Sequence, residues 1–359
     1  MKRFLFLLIL LAVSLTACND AGSSQQKGKE ENAKAENAKA ENLKNSQNAE
    51  ETESEERNIS AWIVYWDTDI LSELSRMEKH IGTLCYFAAY FKEDHSLFLP
   101  KEVSDIYGKI QKAYGSKRFK SYLTFVNDIR MNDGSSKLKD TKLLYGLLKT
   151  KESRESHAED IVSLASQGGF DGIEIDYEAI RGDNTLWKYF SEFTEELYRR
   201  ASQKGLPVRI VLESGVPAEK ISFPRGPEYV MMCYNLYGYG TEPGPKADKA
   251  FLEEMVQKMK VFTKVNFAIA TGGFDFEEGG TVTQLTEEEA VSRKEKYNAK
   301  AERQEESRCA VFQYKDEGKK HEVWYADKET IKYWLEVIRE KGNYGVSLWR
   351  LGGNVTVVP

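Results

Sequence analysis

The most informative segment of the chain reads Asp171-Gly-Ile-Glu-Ile-Asp-Tyr-Glu178. Apolar and acidic residues alternate along it, which is the period of a β-strand whose two faces differ. Glu174, Asp176 and Glu178 then share one face, and the apolar residues between them share the other. The preceding Gly168-Gly169 indicates a tight entry from a helix into a buried strand. The segment therefore predicts a buried strand with three carboxylates on one face.

Three carboxylates a few ångströms apart cannot all ionise at low cost, so we expect at least one raised pKa among Glu174, Asp176 and Glu178. A carboxyl group that stays protonated near neutral pH is what general acid catalysis requires. The alternative is an edge strand whose polar face is only hydrated. Three acids on one strand converge poorly on a cation, so we expect no metal and no cofactor.

Elsewhere, short apolar runs alternate with longer stretches of helical period, which is typical of βα units around a parallel sheet. Eight strands are predicted, the number that closes an α/β (β/α)8 TIM barrel. They span 61–66, 84–91, 120–126, 172–178, 208–213, 229–235, 266–271 and 344–349. Helices are expected over 101–114, 153–167, 185–204 and 246–262. A doubly wound open sheet is less favoured, because no Gly-rich phosphate loop follows the first strand.

The segment between the last two strands is too long for one helix. Within it, the apolar runs 309–314 and 321–325 flank the turn-like stretch 315–320. We therefore expect a short β-hairpin insertion between strands seven and eight.

In a barrel of this type the chemistry lies at the carboxyl ends of the strands. Glu178 ends predicted strand four, Tyr234 and Asn235 end strand six, and Trp349 ends strand eight. The sequence thus predicts one pocket lined by all four. The alternative for Tyr234 and Trp349 is a packing role, which is less favoured, and Asn235 is equally suited to capping a strand end.

The N-terminus predicts export and anchoring. Lys2-Arg3 and the apolar run 4–13 precede Leu-Thr-Ala-Cys18, which resembles the lipobox of bacterial lipoproteins, with Cys18 as the lipidated residue. Residues 1–18 are then a lipoprotein signal peptide. Residues 19–58 are rich in Ala, Glu, Asn and Lys, and we expect a disordered tether with a mean reach of roughly 35 Å.

The remaining residues, 59–359, have the length of a single TIM barrel. The whole chain has 51 Lys and Arg against 57 Asp and Glu, a net charge of −6. No basic patch for nucleic acid is expected from this balance. We expect a monomer on the extracytoplasmic side of a bacterial cell membrane, held there by the N-terminal lipid.

In the residues of predicted strands four, six and eight, the chain resembles glycoside hydrolase family 18. The family's strand-four signature is Asp-x-x-Asp-x-Asp-x-Glu, and Asp171, Asp176 and Glu178 match it, with Glu174 in place of an Asp. The family's Met-x-Tyr-Asp of strand six is matched by 232–235, which ends in Tyr234 and Asn235. The strand-eight tryptophan, which floors the subsite of the reacting sugar, corresponds to Trp349.

The branch that looks most similar contains bacterial spore-cortex and cell-wall N-acetylglucosaminidases. This similarity rests on 122–127, 321–325 and 349–352. The Ser-x-Gly-Gly of strand three in many chitinases is missing, and 122–127 occupies its place.

The resemblance implies a retaining mechanism in which the 2-acetamido group of the substrate is the nucleophile, an exception to the usual two-carboxylate scheme. Glu178 would protonate the glycosidic oxygen, Asp176 would hold the acetamido N–H, and Tyr234 would donate to the acetamido oxygen. Glu174 and Asp171 would support the catalytic carboxylates. Asn235 and Trp349 would bind substrate.

We therefore expect a membrane-tethered β-N-acetylglucosaminidase or chitinase-like enzyme that cleaves β-glycosidic bonds of GlcNAc-containing glycans. Cell-wall glycan leads, followed by chitin-type oligomers and N-linked glycan cores. Endo and exo action both remain open, as does the number of subsites. The alternative from another class is a catalytically silent glycan-binding lipoprotein, which the substitution at Glu174 keeps open.

Overall fold

The computed structural model describes residues 59–67 and 69–357. The predicted signal peptide, Cys18 and the tether lie outside the described residues. Eight strands form the centre of the described part, and their bounds follow. They are β1 (Ile59–Val64), β2 (Ile81–Lys92), β3 (Lys120–Arg130), β4 (Gly172–Asp176), β5 (Val208–Leu212), β6 (Glu228–Met232), β7 (Val265–Ala270) and β8 (Gly345–Trp349).

Each of these strands pairs in parallel with the next, and β8 pairs with β1, so the sheet closes. The predicted TIM barrel is confirmed. Two short strands, Leu97–Phe98 and Ser136–Lys137, extend β2 and β3 as antiparallel arms.

The helices are α1 (Ile70–Met77), α2 (Lys101–Tyr114), α3 (Thr141–Leu148), α4 (Lys151–Gln167), α5 (Asn184–Gln203), α6 (Lys249–Lys258), α7 (Glu287–Lys296) and α8 (Lys328–Arg339). Polar N-cap side chains determine where several begin, because they accept a hydrogen bond from a free backbone N–H of the first turn. Asp140, Thr150 and Asp183 do so for α3, α4 and α5. In the described ranges, no helix has both the length and the apolar character to span a bilayer.

The two faces of β4 differ as the alternation predicts. Ile173, Ile175 and Tyr177 pack into the large core outside the barrel, with the helices. Glu174 and Asp176 are also buried, and they lie on the opposite face, inside the barrel. The carboxylates of this strand are therefore enclosed by the barrel.

The predicted hairpin insertion needs correction, because it is part of a larger structure. Its strands, Ala310–Asp316 and Lys319–Ala326, belong to a five-stranded antiparallel sheet. The other members are Gly272–Glu277, Val282–Leu285 and Glu302–Arg303, and α7 packs on this inserted sheet.

The first strand of the inserted sheet was not recognised in the sequence because it begins with Gly272-Gly273, and a glycine pair is typical of a loop. A Cβ on Gly273 would lie 1.7 Å from the backbone oxygen of Trp324, and one on Gly272 would lie 2.2 Å from that of Leu285. The two glycines therefore allow the close approach of neighbouring strands, which is the other reason for glycine in a strand.

Candidate active site

A cleft of about 440 Å³ opens at the carboxyl ends of the barrel strands. The inserted sheet and the start of α7 contribute one wall, through residues 284–286 and 289. The cleft is lined by five of the predicted site residues, namely Asp176, Glu178, Tyr234, Asn235 and Trp349. The structure does not bring Glu174 or Asp171 to its surface.

Glu178 lies just beyond β4, in the loop, since the strand ends at Asp176. The amide of buried Asn127 fixes this position with both of its polar atoms. Its Oδ1 accepts from the backbone N–H of Glu178 at 2.9 Å, and its Nδ2 donates to the backbone oxygen at 3.1 Å. Ala179 then takes a positive φ of 65° and donates its N–H to Glu213 at 2.7 Å. The predicted extension of the strand to Glu178 is therefore wrong, because these contacts turn the chain.

Asp176 is 6% exposed on the floor of the cleft. Burial raises its pKa well above the ordinary value, and the carboxylates of Glu178 and Glu174 raise the pKa further. Its Oδ1 is buried and has no hydrogen-bond partner among the described residues. An unpaired buried acceptor costs free energy, so this oxygen is suited to a donor on a bound molecule.

Glu178 forms an ion pair with Lys139, which precedes the helix α3. Burial raises the pKa of Glu178, the Lys139 ammonium lowers it, and the carboxylates of Glu213 and Asp128 raise it again. The net direction is upward. The backbone N–H of Lys139 also donates to Asp128 at 2.8 Å, which holds this residue in place beside Glu178.

Glu174 is fully buried below the cleft and serves as the anchor of a charged network inside the barrel. Trp62 and Thr124 donate to its Oε1 at 2.6 and 2.8 Å. Arg209, its register partner on β5, has Nε 3.0 Å from Oε2. Removing one member of such a buried pair costs about 3–5 kcal/mol, because it leaves the other charge uncompensated. Glu174 thus acts on the cleft through its charge on Asp176.

Asp171 lies at the amino end of β4, so the length of the strand separates it from the cleft. Its Oδ2 accepts from the backbone N–H of Ser121 at 2.9 Å, and its own N–H donates to the Ser121 oxygen at 2.7 Å. These two bonds tie the start of β4 to β3. The structure therefore gives Asp171 a part in strand alignment.

Tyr234 lies just beyond β6 and lines the same cleft as Asp176 and Glu178. Burial raises the pKa of its hydroxyl, and Asp176 and Glu178 raise it further, so the group remains a neutral donor. Asn235 is exposed beside it, with a φ of 61° that aims the loop away from the strand.

Trp349 ends β8 as predicted and packs on the other aromatic side chains of the cleft. Its ring lies 5.7 Å from Trp62 and 5.1 Å from Phe87, both in edge-to-face geometry. Trp66 meets Phe87 at 6.0 Å and is 48% exposed at the cleft mouth. Exposed aromatic surface of this kind suits the apolar face of a sugar ring.

Sequence reasoning missed Lys139, Lys246, Trp66 and Arg350, all of which line the cleft. Trp66 ends the predicted first strand, and this place at the carboxyl end of a barrel strand was the available signal; in the structure the strand ends two residues earlier, at Val64. The two lysines carry no such signal, since each sits in an irregular loop. In the described ranges, no group of three or more His, Cys, Asp or Glu is arranged to hold a metal ion.

The sequence and the fold of this chain are similar to those of known glycosidases. The profile of Glycosyl hydrolases family 18 matches residues 61–354. Two curated relatives come from Bacillus subtilis (strain 168). The chain is 25% identical over 237 residues to YdhD, whose sporulation-specific glycosylase activity is itself inferred; the match covers 59% of this chain and 54% of YdhD. It is 25% identical over 218 residues to a cortical fragment-lytic enzyme, covering 54% of this chain and 49% of that enzyme.

The chain thus spans about half the length of these two relatives. Among solved structures, a chitinase from Chromobacterium violaceum ATCC 12472 superimposes with a TM-score of 0.70 at 17% identity. The superposition covers 83% of this chain and 95% of that one. At 17% identity this similarity shows a shared fold and nothing beyond it.

Proposed function

This chain belongs to glycosyl hydrolases family 18, and we propose that it is a retaining glycoside hydrolase that uses the acetamido group of its own substrate as the nucleophile. Its substrates are GlcNAc-containing glycans, with cell-wall glycan first and chitin-type oligomers second. The relatives named for sporulation and cortex lysis support the cell-wall choice.

The observation that carries this proposal is the unpaired Oδ1 of Asp176 beside Glu178 on the floor of the cleft. A second carboxylate used as a direct nucleophile needs no donor from the substrate. A carboxylate that positions an acetamido group does need one, namely the amide N–H. The buried, unpartnered oxygen fits the second role.

Within this mechanism, Glu178 donates its proton to the glycosidic oxygen as the acetamido oxygen attacks the anomeric carbon. Asp176 accepts the acetamido N–H and stabilises the positive charge of the resulting oxazolinium ring. Tyr234 donates its hydroxyl to the acetamido oxygen and aligns it. Water then enters, activated by the Glu178 carboxylate, and the first configuration at the anomeric carbon is restored.

Product analysis tests the function as a whole. The protein is incubated in parallel with peptide-free peptidoglycan glycan, chitin oligomers and a glycoprotein, and the products are identified by mass spectrometry. We expect fragments that end in a reducing GlcNAc from the first two. Binding without any cleavage would favour the silent glycan-binding protein instead.

Lys139 provides a pH-dependent test of Glu178 as the acid. The acid must be protonated, so activity falls as the pH rises through its pKa, and the Lys139 ammonium lowers that pKa. In Lys139→Gln the alkaline limb of the kcat/KM profile should move to higher pH, and in Lys139→Arg it should stay near the wild-type position. An unmoved or downward-shifted limb in Lys139→Gln would separate Lys139 from the ionisation that controls activity.

The location of the enzyme is also a proposal, since Cys18 and residues 19–58 lie outside the described residues. We expect the Cys18→Ala protein to be released from the membrane fraction and to retain wild-type kinetics on soluble oligomers. It should cleave wall glycan more slowly, because its local concentration at the wall is lower. Cell fractionation with activity assays on both substrates measures this. A Cys18→Ala protein that remains with the membrane would contradict the lipid anchor.

A further inference from the structure

Three cationic side chains line the cleft, and they differ in their partners. Lys139 is paired with Glu178, and Arg350 is paired with Asp67. Lys246 has no carboxylate partner among the described residues. Its Nζ donates to the backbone oxygen of Thr271 at 2.8 Å.

Burial and hydrogen bonds hold Lys246 in a fixed position. The residue is 4% exposed, and its backbone oxygen accepts the N–H of Leu236 at 2.9 Å, which ties it to the loop that carries Tyr234 and Asn235. Its Nζ lies 5.2 Å from the centre of the Phe274 ring on the inserted sheet. The ammonium is therefore held between the barrel and the wall of the cleft.

A lysine ammonium has three N–H donors, and one acceptor is present here. Burial lowers the pKa of Lys246 to about 8, so the charged form still predominates at neutral pH. A buried charge whose partners are one backbone oxygen and one aromatic ring is costly unless an opposite charge joins it. The other two cations that line the cleft already have such a partner, so among these three described residues Lys246 is the cation whose charge a ligand can pair.

We propose that Lys246 binds a carboxylate of the glycan and so selects acidic over neutral GlcNAc-containing chains. The inference rests on the proposed function and narrows its substrate class. In cell-wall glycan, muramic acid alternates with GlcNAc, and the lactyl ether of muramic acid carries such a carboxylate. Chitin-type oligomers are uncharged. A carboxylate on an attached stem peptide has the same chemistry.

The test measures binding in the Glu178→Gln background, so that turnover does not interfere. Calorimetry compares a GlcNAc–muramic acid tetrasaccharide, the same molecule with its lactyl carboxylates converted to methylamides, and a chitin tetrasaccharide. We expect the acidic form to bind about tenfold or more tightly than the methylamide, as for hydrogen bonds to a buried charge. Adding Lys246→Gln should remove that preference, and adding Lys246→Arg should retain most of it. A peptide-linked tetrasaccharide distinguishes a lactyl carboxylate from a peptide one.

Each outcome separates the inference from the function on which it rests. If the preference is absent, or survives Lys246→Gln in a protein whose melting temperature is unchanged, the carboxylate site is wrong even when wild type cleaves these glycans. If Lys246→Gln abolishes the preference while wild type cleaves none of them, the binding site stands and the hydrolase proposal fails. Equal losses for the acidic and neutral ligands would assign Lys246 to structural support of Thr271, which also overturns the inference.

Discussion

Glu178→Gln is expected to reduce kcat on chitin-type or cell-wall oligosaccharides by at least about 10²-fold, because the amide has the shape of the acid but no proton to donate. The backbone of Glu178 is held by Asn127, and this contact does not involve the replaced group. Folding and glycan binding should therefore persist. Steady-state kinetics, calorimetric affinity and thermal melting measure the three quantities separately.

Glu289→Gln is the matched control, since Glu289 lines the same cleft but its carboxylate is committed to the N-terminus of α7. It accepts from the backbone N–H of Thr286 at 2.7 Å in a capping box. We expect a loss within about threefold, which corresponds to less than about 1 kcal/mol in the barrier. Glu178→Gln activity within tenfold of wild type, or an equal loss in Glu289→Gln, would remove Glu178 from the role of general acid.

Asp176→Asn should lower kcat by about 10²–10³-fold, the range for removing one preorganised group that stabilises developing charge. Its unpaired Oδ1 is available to the acetamido N–H, and an amide in its place cannot become the negative carboxylate that stabilises the oxazolinium ring. Binding should weaken much less than turnover, because the charge develops only along the reaction. Separate determination of kcat and of substrate affinity checks this division.

Asp171→Asn is the control for that change, being the same substitution on the same strand at the end far from the cleft. Its two bonds to Ser121 align β4, so its effect should fall on stability. A thiazoline that mimics the oxazoline should inhibit wild type and lose potency in Asp176→Asn. Equal potency against both proteins, or a trapped covalent glycosyl–protein adduct, would contradict the role of Asp176.

The sequence predicted the structure best where the spacing of apolar residues matches the repeat of the secondary structure, as in a β-strand. The alternation from Asp171 to Glu178 predicted a buried strand with its acids on one face. The strand is buried, and Glu174 and Asp176 share one face, whereas Glu178 lies beyond the end of the strand. Eight parallel strands followed from the spacing of apolar runs, and Trp349 ends its strand as expected. These features depend on contacts of neighbouring residues, which a pattern records.

The parts that depend on distant residues could not be read from the sequence. The strand stops at Asp176 because Asn127, about fifty positions earlier, holds the backbone of Glu178. Lys139 reaches Glu178 from another loop, and Arg209 reaches Glu174 from the neighbouring strand β5. Such pairs carry no periodic signal. Asp171 shows the converse, since it matches the family signature yet aligns a strand away from the cleft.

Attack of the substrate's acetamido group on the anomeric carbon can be measured with a series of otherwise identical aryl GlcNAc-type substrates whose N-acetyl group carries zero, one, two or three fluorines. Fluorine withdraws electrons from the amide oxygen and weakens it as a nucleophile, while the leaving group stays the same. We expect kcat/KM to fall progressively, by more than about tenfold across the series, or about 1.4 kcal/mol in the barrier. A flat series would show that the acetamido group takes no part in bond formation, and the substrate-assisted mechanism would then be wrong.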